Sequence, residues 1–180
     1  RAHLRQLYDA ELAELDAEVG DFLAVLEADS RRLGVVLTSD HGEGFGEGGR
    51  FEHDDILEPQ VRVPLIVHVP ERVPGSRPKG RRALPASGVD VAATMLGLAG
   101  LEPPAHMRGI DLTRAADGQA RSILVEDRDK LAQEDCHFAF YQERWKLVET
   151  GMGAGARAAL FDLAADPAAL ADVGDAHPQV

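Results

Sequence analysis

An α/β fold, a layered sheet followed by a small antiparallel sheet subdomain, is what this chain of 180 residues predicts. Three observations carry that expectation. A long stretch of helical periodicity opens the chain. An all-apolar run directly behind it reads as a buried strand. Several short strands with no long helix between them lie towards the end.

The elements follow in order. Leu4, Leu7, Tyr8, Leu15, Val19, Phe22, Leu23 and Leu26 recur at three- and four-residue steps, which predicts an amphipathic helix over 4–28. The acidic residues from Asp9 to Asp29 then form its solvated face. The run from Gly34 to Asp40 holds Val35, Val36 and Leu37 in succession, the mark of a strand covered on both faces, as in parallel sheets. A second strand is predicted from Val61 to Val69, with Pro64 pointing to an edge or a strand start. The stretch from Pro70 to Pro85, with Arg72, Arg77, Lys79, Arg81 and Arg82, reads as a solvated loop. A helix is expected over 88–99, capped by Ser87 or Asp90 and stopped by Gly100 before Pro103 and Pro104. Strands follow at 122–127, at 137–149 around a tight turn near Glu143 and Arg144, and at 158–163. The segment from Ala164 reads as helical or frayed.

Composition narrows the functional classes. Asp and Glu number 31 against 19 Lys and Arg, a net charge of −12, which speaks against a nucleic acid or an anionic membrane surface as partner. Hydrophobic content of 44% with 28% charged residues is that of a soluble globular domain, and the choice between a cytoplasmic and a periplasmic location is not written in it. The single cysteine, Cys136, rules out an internal disulfide framework or a multi-cysteine metal site and reads as a small buried residue. Apolar runs such as the one from Val63 are far too short to span a bilayer. The opening RAHLRQLYDAEL carries charges where the apolar core of a signal peptide would lie.

The densest polar constellation is Asp40, His41, Glu43, Glu47, Glu52, His53, Asp54 and Asp55. Asp40 and His41 end a strand, where neighbouring side chains can turn towards one point. A carboxylate with an imidazole is a competent pair for a divalent metal. Interspersed glycines let the backbone wrap closely around a ligand. The same pair is also what a hydrogen-bonded or solvated turn looks like. His3, His68, His106, His137 and His177 are scattered and without an evident partner in sequence, and Trp145 reads as a packing residue.

The string LTSDHGEGFGEGG, then His53, then RVPLIVHVP resembles the sulfatase family of the alkaline phosphatase-like superfamily. VDVAATMLGLAGLEPP, MRGIDL, RWKLVE and LFDLAADP resemble further blocks of that family and occur in its order. The resemblance implies an alkaline phosphatase-like layered sheet, partial here. Residues 1–115 would be the carboxyl-terminal part of the catalytic domain and 116–180 a small antiparallel subdomain. Asp40 and His41 would be metal ligands, and His53 would contact the transferred group or the leaving oxygen of a small anionic ester. Calcium is the ion the resemblance implies. His41 suits Mn²⁺ or Zn²⁺ better.

Two departures stand out. Gly48 occupies a place where the family usually has His, so no role passes to it. Cys136 is followed by Phe138 and Phe140 where the family's nucleophile motif needs Pro or Ala and then Arg, so it is not the nucleophile. The upstream Asp pair that completes the family's metal shell is also missing from the chain. The isolated chain is therefore expected to be inactive, as part of a sulfate ester hydrolase. A phosphate or phosphonate monoester hydrolase of the same superfamily, or a non-catalytic domain that keeps the fold, are the alternatives.

Overall fold

A computed structural model of the chain describes residues 1–29, 33–69, 79–128, 136–151 and 153–180. The chain divides into two compact units, and each is built from discontinuous segments. One comprises Arg1–Thr38, Pro64–Gly80 and Val89–Ala115; the other comprises Ser39–Val63, Arg81–Gly88 and Ala116–Val180.

In the first unit, helix α1 (Ala2–Asp29) forms where the periodicity predicts it. Its apolar side is largely open. Leu4, Leu7, Leu15 and Phe22 are exposed, and Tyr8, Val19, Leu23 and Leu26 are half-buried. Strand β1 (Val35–Thr38) is shorter than predicted. The doubly covered, parallel-type strand is also corrected. β1 and the strand that carries Leu65–His68 run antiparallel, with Val36 opposite Val67 and Leu37 opposite Ile66. Val35, Val36 and Leu37 are only half-buried. The run of apolar residues was evidence of strand and not of strand direction, because a β-branched run suits either pairing. Pro64 immediately precedes that second strand, as a residue without a ladder N–H should.

The second helix of this unit, Asp90–Leu98, buries Asp90, Ala93, Thr94 and Gly97, one face at helical spacing. Neither Ser87 nor Asp90 caps it, since the cap position is Val89, with no side-chain hydrogen bond. Asp90 is instead the first helical residue. Its buried carboxylate accepts the Ile110 N–H at 2.9 Å, and the Thr94 hydroxyl accepts the Leu112 N–H at 3.1 Å. The polar residues on the buried face thus fasten the MRGIDL segment to the helix. Gly100 ends the helix as predicted, with N–H bonds from Gly100 to Gly97 and from Leu101 to Leu96 at 3.1 and 2.9 Å.

In the second unit, β2 (Gly44–Phe45) and β3 (Phe51–Glu52) form a short hairpin. A single helical turn, α2 (Glu58–Val61), occupies the start of the stretch predicted as the second strand, so that strand begins later than expected. Four strands complete the unit: Ser122–Arg128, Cys136–Gln142, Trp145–Thr150 and Arg157–Asp162, referred to below in that order as the first to fourth strands of the meander. All neighbours pair antiparallel in chain order, the small sheet the sequence predicts. The turn at Glu143 and Arg144 falls where predicted, with Glu143 at φ 52°. Register puts Leu124, Phe140 and Leu147 in one exposed row, while Ala139, Lys146 and Tyr141 belong to the opposite face. Cys136 is buried, as expected.

Two loop expectations are corrected. The chain from Ala164 is neither frayed nor α-helical. The Asp166 carboxylate accepts the N–H groups of Leu170 and Ala171, and Asp172 accepts that of Leu160, so side-chain acceptors replace a helical ladder. Arg82, predicted as solvated, has its side chain only 18% exposed and pairs with Asp117 at 2.8 Å. Lys79 and Arg81 are exposed, while Arg72 and Arg77 lie outside the described residues.

Candidate functional site

The polar constellation lies within the second unit. It begins two residues past β1 and is shaped first by local bonds. The Ser39 hydroxyl donates to the His41 carbonyl at 2.6 Å, and the His41 N–H donates to Asp40 Oδ1 at 3.0 Å. That backbone donor first, and the His41 side chain second, hold the Asp40 carboxyl below the ordinary carboxylate value, so it stays ionised. Gly42 donates its N–H to the Gln60 carbonyl at 2.7 Å. A Cβ at Gly42 would come within 2.0 Å of the Pro59 carbonyl oxygen, so only glycine permits this approach.

The second strand of the hairpin returns the chain to the same place. The His41 and His53 rings stack with centroids 4.0 Å apart and planes 18° from parallel. His41 Nδ1 donates to the Gly42 carbonyl at 2.9 Å, because a carbonyl can only accept, and the other ring nitrogen is Nε2. That nitrogen lies 3.8 Å from Asp40 Oδ2. His53 Nδ1 likewise faces Glu43 Oε2 at 3.4 Å, which leaves its own Nε2 free. The structure therefore brings Asp40, His41 and His53 together, with Glu43 as a fourth member. The cluster is open to solvent: the Asp40 side chain is 86% exposed and that of His41 45%. Among the described residues no group of three or more His, Cys, Asp or Glu side chains is arranged to hold a metal ion.

Gly48 sits at φ 56°, left-handed backbone that glycine adopts at no steric cost. Glu47, by contrast, turns inward to accept the Phe45 N–H at 2.7 Å and belongs to the hairpin.

Behind His53, Asp55 of the same constellation is followed by Glu58, Tyr141 and Lys146, which sequence reasoning did not single out. Asp55 accepts from His137 Nδ1 at 3.2 Å and pairs with Arg50 at 3.3 Å. The buried Glu58 accepts from the Tyr141 hydroxyl at 2.7 Å and from Lys146 Nζ at 2.9 Å, and Lys146 also donates to the Ile56 carbonyl at 2.6 Å. Lys146 is only 1% exposed. Burial first, and the Glu58 carboxylate second, push the Tyr141 hydroxyl far above its ordinary value, so it remains a donor. Separations of more than eighty positions kept these pairs from view in sequence.

A family model described as Sulfatase matches residues 1–101. Arylsulfatase K of Xenopus laevis is 29% identical over 190 aligned residues, covering 98% of this chain and 34% of the relative. Choline-sulfatase of Rhizobium meliloti (strain 1021) is 29% identical, covering 95% of this chain and 33% of the relative. Among solved structures, BT4656 in complex with its substrate D-glucosamine-2-N,6-O-disulfate superposes with a TM-score of 0.70 at 23% identity, over 91% of this chain and 35% of that one. The phosphonate monoester hydrolase of Agrobacterium radiobacter gives 0.67 at 23% identity, over 91% and 35%. The chain thus spans about a third of the length of the curated relatives it matches. No described helix is long and apolar enough to cross a membrane. With the family model covering residues 1–101 of 180, and both structural matches sharing its mixed α/β fold, the chain belongs to the sulfatase family.

Proposed function

We propose that Asp40, His41 and His53 form one side of the active site of a metal-dependent hydrolase acting on sulfate esters of small molecules. The observation that carries this reading is the convergence of the three side chains across the hairpin, with His41 stacked on His53. The donor chemistry fits a cation. Asp40 is held ionised, and the bond from His41 Nδ1 to Gly42 leaves Nε2 free to ligate, the usual arrangement for a metal-bound imidazole. Asp40 and His41 would hold the ion, which as a Lewis acid would supply charge stabilisation for the ester oxygens. An oxygen-rich shell favours Ca²⁺, while the imidazole of His41 suits Mn²⁺ or Zn²⁺. His53, oriented by Glu43, presents Nε2 to the transferred group or the leaving oxygen.

In this reading residues 1–115 are the carboxyl-terminal part of the catalytic domain and 116–180 a small subdomain, and further ligands and the nucleophile come from a longer polypeptide. The 180 residues by themselves then hydrolyse no aryl sulfate above the buffer rate, because a metal and a proton donor without an attacking group leave most of the barrier standing. A phosphonate or phosphate monoester is the second substrate class, favoured by the likeness to the phosphonate monoester hydrolase.

The test is to load the full-length polypeptide with Ca²⁺, Mn²⁺ or Zn²⁺ and assay an aryl sulfate beside an aryl phosphonate. Asp40→Asn should lower both bound metal, by elemental analysis, and turnover. Turnover of the phosphonate alone supports the second class. Absence of both activities at full metal loading leaves a non-catalytic domain as the account.

A further inference from the structure

The loop that carries His53 is fastened at four points in the seven residues from Glu52 to Glu58. Glu52, at φ 64°, holds left-handed backbone that is strained in a residue other than glycine. Its carbonyl accepts the Gln60 side-chain amide at 2.9 Å, and Gln60 is 2% exposed. Asp55, Ile56 and Glu58 are then bound by His137, Tyr141 and Lys146. His137 and Tyr141 are four residues apart on the second strand of the meander, and Tyr141 is in register with Lys146 on the third, so all three project from one face of the sheet.

A buried ammonium is a poor choice for stability alone. Its desolvation penalty offsets much of the attraction to its carboxylate, and apolar residues of similar size are often as stable or more so. What the Glu58–Lys146 pair and its Tyr141 bond supply is direction: each fixes one atom of the loop to one atom of the sheet.

We propose that Lys146, Tyr141 and His137 are positioning residues, through which the small antiparallel sheet sets the placement of His53 against His41. The catalytic consequence rests on the sulfatase reading given above; the placement itself does not.

The isolated chain tests the placement. In the double variant Glu58→Gln, Lys146→Met both charges are removed together, so neither is left buried and unpaired. The His53 ring carbon-bound proton signals, assigned by comparison with His53→Gln, should shift. The denaturation midpoint read from Trp145 should stay near that of the wild type. A double variant of unchanged midpoint whose His53 signals keep their wild-type positions overturns the proposal. Where the double variant does not fold, Tyr141→Phe decides. Removal of one hydroxyl should move the His53 signals in part, and no movement overturns the proposal equally.

In the full-length polypeptide the double variant should lose up to roughly a hundredfold in kcat with little change in KM, the scale of misplacing a catalytic group by about 1 Å. A raised KM with kcat intact would count against positioning. An inactive wild-type polypeptide would overturn the sulfatase reading and leave the ring signals to decide the placement.

Discussion

Helix α1 and the four-stranded meander occupy separate units, and the meander has a buried face where no described residue of α1 is buried. On α1, Leu4, Leu7, Leu12, Leu15, Phe22 and Val25 stand 45–69% exposed. On the inner face of the meander, Ala139 is fully buried and Lys146 is 1% exposed. Chain connectivity accounts for the contrast. Antiparallel neighbours that pair in chain order satisfy one another's backbone groups. A helix satisfies its own backbone at once, but its apolar stripe waits on whatever other element covers it. The pair formed by β1 and Leu65–His68 lies between these cases: bonded to each other, yet each with one edge unpaired among the described residues.

Breaking the self-sufficient unit should have the largest effect. Glu58→Ala leaves the Lys146 ammonium buried without its carboxylate and should destabilise the second unit by about 3–5 kcal/mol. Trp145, the one tryptophan, lies in that unit and reports its unfolding by fluorescence, while helical circular dichroism follows α1. Coincident loss of both signals would show that the two units unfold as one and would remove the contrast. Gly42→Ala comes next. Its Cβ would meet the Pro59 carbonyl oxygen, and relief of that overlap should cost about 1–3 kcal/mol and separate the His41 and His53 rings. The check is the same fluorescence midpoint together with the nuclear Overhauser effect between the two imidazoles.

Leu15→Asp on α1 should change stability by no more than about 0.5 kcal/mol, since 53% of the side chain is already exposed. A cost of 2 kcal/mol or more would mean that the stripe is covered in solution. The smallest effect belongs to Asp166. The N–H groups of Ala171 and then Leu170 hold its folded value below the ordinary 3.8, so its contribution is present above that value and lost as pH falls through the lowered one. Acidification in that window should speed amide exchange at Leu170 and Ala171 selectively, and Asp166→Asn should remove the pH dependence.

The site was legible in part, and for an identifiable reason. Asp40 and His41 are adjacent at a strand end, and His53 stands just ahead of the block that carries the family likeness, so all three could be named from the chain. That their side chains meet, and that Glu43 orients His53, depends on a hairpin with Gly44 opposite Glu52. No partner for His137 stands near it in the sequence. Its partner, Asp55, lies 82 positions away.

Apart from the hairpin of β2 and β3 and the turn α2, the sequence by itself determined the elements and their order: α1 from its periodicity, the helix stop at Gly100, the turn at Glu143, the meander and the residues of the loop. These are local matters, set by backbone conformation and by neighbours within a few positions. Tertiary structure alone decided which way β1 pairs, that the apolar stripe of α1 is largely open, and that Lys146 is buried on Glu58. Each of these turns on groups far apart in the chain that meet only when the chain folds. Strand direction cannot be read from an apolar run, and no pattern along the sequence reveals which carboxylate will neutralise a buried ammonium.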